Sequence, residues 1–285
     1  MVHIVISKFG KINDSQVKFI TGLMEECYGR LSPHNVTIVD LYVFEKSSAA
    51  EAFLSAERRE LGVGTSPFHE GFFAMHDAWR GIPRIILCLD RMMKLPDLVM
   101  IGGVRHEVAH TVLHGSLEYY LFTFPESMLK LMNQFNLSEK VAADILYLIS
   151  IAVKDYEVTR LLYEHGYVED QAAYVKFLLK TEEEDLLSWR LAEGNPLLEA
   201  LHVIGLLKSI GCAIALLSDR NLQGEIECYL KDSLSHLPKN ISSMVLNIAK
   251  ENFTNLKGDT FTNIERTIYA CKQILNTLMD AKTKI

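Results

Sequence analysis

The chain has 285 residues, nearly half of them hydrophobic and about a quarter charged, with a net charge of −7. That composition suits a globular protein with a substantial core, and the length allows one large domain or two smaller ones. Acidic and basic residues are interspersed, and no basic stripe or Lys/Arg cluster occurs. Nucleic acid and anionic membrane surfaces are therefore excluded as expected partners.

The five cysteines (Cys27, Cys88, Cys212, Cys228, Cys271) are odd in number, widely spaced and free of any CxxC pair. They read as small buried hydrophobes in a reduced interior. The opening MVHIVISKFGKIND lacks a basic n-region, and its apolar run is too short for a signal peptide, so a cytoplasmic location is expected. One stretch, Pro196 to Asp219, is apolar over about the length of a membrane span, roughly 20 residues. Glu199 and His202 interrupt its first half and Lys208 sits near its middle. A charge there costs roughly 2.5–3.5 kcal/mol on insertion scales, which favours a core helix over a span.

In chain order, Val2–Ile6 reads as a first strand. Asp14 to Tyr28 has helical spacing of apolar residues (Val17, Ile20, Leu23, Met24, Cys27). Val36 to Phe44 is a strongly β-prone run, and Ser48 then caps a helix through Arg59 that ends in a Gly-rich turn at Gly62–Gly64. Gly71–Trp79 and Pro83–Asp90 are strands joined by a short turn at Gly81-Ile82. A helix follows from Pro96 to His114, closed by Gly115. From Glu126 onward the pattern is helical: a long helix from Ser138 to about Tyr163, then helices over roughly 168–194, 196–218, 222–235, 240–252 and 261–282. The expected fold is α+β, with a lobe over residues 1–165 (a small mixed sheet and site helices) and an all-helical lobe over 166–285.

Within the Pro96–His114 helix, His106-Glu107-Val108-Ala109-His110 is an H-E-x-x-H pattern. Residues i and i+4 of an α-helix differ by about 6 Å of rise and about 40° of rotation, so both imidazoles reach one point beside the helix. That is the geometry two zinc ligands require. Glu107 is offset by about 100°, too far round to ligate easily and well placed to take a proton from a metal-bound water. An accidental match is expected in roughly 2% of chains with this many histidines, so the pattern is read as a site. Gly102-Gly103 just before it permits close approach by a neighbour.

The third ligand is less constrained. His114 extends the run but lies about 12 Å along the axis from His106 and about 80° round it, so a regular helix cannot aim all three at one ion. A bend at Gly115 would be needed; otherwise His114 has a supporting or packing role. Asp155, in the long helix, has Leu148, Ile151, Ala152, Val158, Thr159 and Leu162 as same-face neighbours, an apolar stripe with one carboxylate in it. Such a group needs a cation or strong donors, and a metal satisfies that, as would a buried Arg such as Arg105. Glu157 has Ser150, Val153, Lys154, Arg160, Leu161 and Glu164 around it and reads as a solvent face. Asp155 is the preferred ligand, with Glu157 and His114 as alternatives.

HEVAHTVLHG resembles the active-site helix of zincin metallopeptidases, more narrowly the gluzincin-like group and its ImmA/IrrE-type members. Asp155-x-Glu157-Val158-Thr159 is similar to the acid-x-x-Ala-Asn segment that supplies their third ligand, with Asp for Glu and Thr for Asn. The resemblance covers residues 36 to 165 or so. It implies an edge strand, here Gly71–Trp79, that pairs with an extended peptide substrate. The expected function is that of a zinc-dependent metallopeptidase, with Zn2+ held by His106, His110 and Asp155 and with Glu107 as general base. The alternative is a zincin-fold protein with a binding or regulatory role. His165, Tyr163 and Tyr167 are candidates by position for stabilising an oxyanion.

Overall fold

The computed structural model describes residues 2–62, 73–121 and 123–280. Its architecture is α+β, a small mixed sheet near the N-terminus followed by helices. The chain divides into two compact units, residues 1–122 with 164–174 and residues 123–163 with 175–285. Each unit combines two stretches of chain, where the sequence reading has one cut after residue 165.

The first unit holds a sheet of four strands: β1 (His3–Phe9), β2 (Ile38–Phe44), β3 (Ala74–Asp77) and β4 (Arg84–Cys88). Their order is β1-β2-β4-β3, with β1–β2 and β2–β4 parallel and β3–β4 antiparallel. The expected strands are thus present, the third with its antiparallel edge position. Gly71, Phe72 and the turn glycine at 64 lie outside the described residues. Every residue of β4 is buried, as suits a strand covered on both faces.

Helix α1 (Asp14–Arg30) joins β1 to β2, α2 (Ser47–Leu61) follows β2, and α3 (Leu89–Met92) and α4 (Asp97–His114) follow β4. One face of the sheet packs on α2: Phe44, Ile86 and Cys88 meet Ala50 and Leu54, with Met75 beside them. On that face the buried Arg84 clamps both Glu57 of α2 (2.6 and 3.0 Å) and Asp77 of β3 (2.7 and 3.1 Å). Strand alternation sends Met75 and Asp77 to this side and His76 to the other.

Helix α4 packs on β3, β4 and α1, and the Tyr28 hydroxyl meets the Thr111 hydroxyl at 2.7 Å. Val104, Val108 and Ala109 on α4 are fully buried. The paired glycines are there for space. A Cβ on Gly102 would lie 2.5 Å from the Asp170 carbonyl oxygen and 2.9 Å from Tyr174 Cβ, and one on Gly103 would lie 2.2 Å from the Phe73 ring. The Gln171 amide also donates to the Gly102 carbonyl at 3.0 Å, which ties this tight contact down.

The second unit is helical: α5 (Glu126–Phe135), most of α6 (Glu139–Glu164), the end of α7 (Val168–Leu178), then α8 (Glu183–Ala192), α9 (Pro196–Leu216), α10 (Gln223–Ser233), α11 (Lys239–Thr254) and α12 (Thr260–Asp280). The stretch expected as helical over 168–194 is two helices, because α8 starts afresh with its own cap: the Glu182 N–H donates to Asp185 Oδ2 at 2.8 Å. Helix α9 is long and apolar enough to cross a membrane by length and composition, with mean hydropathy 1.7. Half of that window is buried inside the protein, and α8, α10, α11 and α12 pack on it.

Candidate metal centre

His106 and His110 are 2% and 1% exposed, one turn apart on α4, and their Nε2 atoms stand 3.1 Å from each other. The ring planes cross at 73°. Two imidazole nitrogens held by one tetrahedral zinc at about 2.0–2.1 Å stand roughly 3.3 Å apart. The pair therefore fits such an ion with an adjustment of a few tenths of an ångström.

Helix α4 continues to His114 and stops at Gly115, so the bend that would bring His114 onto the same ion does not occur. His114, fully buried, instead sets its Nδ1 3.3 Å from Nδ1 of His110. That contact sits on the ring nitrogen opposite the one facing His106. A hydrogen bond there fixes the ring orientation and tautomer of a ligating histidine.

Glu107 is 5% exposed, and its Oε2 lies 2.6 Å from Nδ1 of His76 on β3, a separation typical of a charge-assisted hydrogen bond. His76 was not anticipated from the sequence. Its signal was the two-residue alternation of β3, which puts His76 with Ala74 on the face that α4 covers. The ligand atoms of His76, Glu107 and His110 also cluster within 4.8 Å of one another. The His76 and His110 rings, however, stack nearly parallel at 3.7 Å and 12°. Imidazole lone pairs lie in the ring plane, so stacked parallel rings do not converge on one ion. The geometry makes His76 a partner of Glu107 and leaves the crossed pair His106/His110 as the two imidazoles that could share one metal ion.

Arg105 is not paired with Asp155: it donates to Asp170 at 2.8 Å and Glu26 at 3.0 Å and lies over the Tyr167 ring at 4.3 Å. Tyr167 donates to Glu26 at 2.9 Å, so this oxyanion candidate is already committed. Tyr163 belongs to the second unit, its hydroxyl 3.4 Å from Asp219. Tyr120 lies nearby instead, its ring 6.2 Å from that of His76. Burial, with the nearby charges of Asp77 and Glu107, pushes its pKa well above the ordinary tyrosine value, so the phenol stays a proton donor.

In the second unit, Asp155 is 5% exposed on α6 with Lys208 Nζ 3.5 Å from its Oδ2. Lys208, in the middle of α9, is thus one cation beside this buried acid within its own unit. Glu157 corrects the sequence reading. It is 6% exposed rather than on a solvent face, because Ala152 to Thr159 are all buried. Its carboxylate accepts from Thr260 Oγ1 at 2.8 Å and Asn263 Nδ2 at 2.5 Å of α12, which accounts for it as a structural group.

Comparison of the chain with protein-family models, with curated proteins and with solved structures returned no match. The functional reading therefore stands on the residues themselves.

Proposed function

We propose that this chain is a cytoplasmic zinc-dependent metallopeptidase of the zincin type. The observation that carries the reading is the convergence of the His106 and His110 Nε2 atoms at 3.1 Å beside the buried carboxylate of Glu107. Asp155 is proposed as the third ligand on the sequence grounds of its apolar stripe and its resemblance to the zincin third-ligand acid. Zinc held by such a set supplies Lewis acidity, polarising a carbonyl and acidifying a water molecule.

The chain's own groups divide the remaining work. Glu107 takes the proton of the attacking water and returns it to the leaving amine, so the amide C–N bond breaks as the C–O bond forms. His76 donates to one oxygen of Glu107 and so holds the carboxylate in place. His114 steadies His110, and Tyr120 offers a protonated hydroxyl for charge developing on the substrate oxygen. Among the described residues β3 pairs only with β4, so its outer edge suits an extended peptide added as a further strand.

The test is Glu107→Gln on the full chain, with a mixed peptide library read by mass spectrometry. The variant is expected to keep its zinc and to lose cleavage by about 10²–10⁴-fold. A variant that cleaves as fast as wild type refutes the role of Glu107. Absence of cleavage by the zinc-loaded wild type favours a binding role for the same site.

A further inference from the structure

We infer that the second unit carries a metal site of its own, in which the Nε2 atoms of His202 and His236 hold one late first-row divalent ion of the zinc or copper type. The inference is independent of the metallopeptidase reading, since it uses no residue of the first unit.

His202 lies on α9 and His236 in the link between α10 and α11, so only the fold brings them together. Their Nε2 atoms stand 3.2 Å apart with ring planes at 85° and centroids 5.5 Å apart. These values parallel the 3.1 Å, 73° and 4.8 Å of His106 and His110. They also match the separation of roughly 3.3 Å that two imidazoles need on one tetrahedral ion. On the far side of the His202 ring, Nδ1 lies 3.1 Å from Ser188 Oγ. A proton on Nδ1 held by that hydroxyl leaves the Nε2 lone pair directed at His236, the arrangement usual behind a ligating histidine.

The surroundings suit a cation. Burial lowers the pKa of both rings, and the neighbouring His236 adds to the effect on His202. The Asp185 carboxylate acts on both rings in the opposite sense and sets a negative charge on the same side. A small pocket of about 60 Å³ lies against His236, partly open to solvent and lined also by Lys180, Thr181, Asp185 and Ser233. Copper(II) should bind more tightly than zinc, following the general order of affinities for nitrogen sites.

A plain N–H···N bond between the two rings is the competing account, and it predicts no ion. The test loads the full-length His106→Ala/His110→Ala variant with one equivalent of copper(II) and records its electron paramagnetic resonance spectrum. Hyperfine splitting from two imidazole nitrogens is expected, and His236→Gln added to that background should remove one of them. In parallel, His236→Gln alone should bind one copper ion fewer than wild type, which keeps the question answerable should the double variant fold poorly. A His236→Gln chain with the wild-type stoichiometry, or a nitrogen signature unmoved by that change, overturns the inference.

Discussion

Replacing Gly102 by alanine tests whether α4 is held where the metal pair needs it. Two effects oppose each other. In a helix interior, alanine is favoured over glycine by about 0.5–1 kcal/mol. Against this, the new methyl would lie 2.5 Å from a main-chain oxygen, that of Asp170, and 2.9 Å from Tyr174 Cβ. A backbone atom cannot swing aside as a side-chain tip can, so the overpacking cost of about 1–3 kcal/mol applies in its upper part. The net expectation is destabilisation by about 1–2 kcal/mol. Gly22 on α1 is the control, because a Cβ there meets nothing within 4 Å. Gly22→Ala should stabilise by about 0.5–1 kcal/mol, so the two alanines should differ by about 2–3 kcal/mol in opposite directions. Thermal unfolding followed by circular dichroism, at roughly 2–4 °C per kcal/mol for a chain of this class, resolves that difference. Zinc affinity of Gly102→Ala should fall with it. A Gly102→Ala protein as stable as Gly22→Ala would show that α4 is not packed against residues 170–174 as described.

Four further outcomes follow from the same geometry. His76→Ala should retain zinc and slow peptide cleavage by about 10–100-fold, because it frees the Glu107 carboxylate without touching His106 or His110; equal rates would remove His76 from the mechanism. Asp155→Ala should weaken zinc binding strongly in a chelator competition. Glu157→Ala should bind zinc normally when folded but lose about 2–3 kcal/mol of stability, since Thr260 and Asn263 are left buried without their acceptor. Arg84→Met should cost about 3 kcal/mol or more in urea unfolding, since Asp77 loses both of its bonds to the guanidinium.

Much of the fold was legible because its signals are local. The β-branched runs of β1 and β2, the apolar run Ile85–Cys88 of β4 and the periodicity of α4 each specify an element without reference to the rest. The i, i+4 histidines were legible for the same reason: one helix carries both, and helical geometry alone converges them. What escaped depends on elements meeting across the chain. His76 joins Glu107 only because β3 runs antiparallel to β4 beneath α4, a pairing of residues 31 apart. Glu157 looked like a surface residue because Ser150, Lys154, Arg160 and Glu164 share its side of the helix. Its burial comes from α12, more than a hundred residues later. The break between α7 and α8 was missed because the capping side chains of Glu182 and Asp185 also read as ordinary helix formers.

The most direct test of the central claim is the zinc content of the full-length protein. Wild type, Glu107→Gln, His106→Ala and His110→Ala would be equilibrated against a chelator that holds free zinc in the nanomolar range. That level leaves a weaker two-histidine site such as His202/His236 largely empty. Wild type and Glu107→Gln are expected to retain about one zinc per chain, and each histidine variant to retain almost none, because a set reduced by one imidazole holds zinc poorly at neutral pH. The same zinc content in all four proteins, or none in any, would contradict the assignment of His106 and His110 as a metal-binding pair.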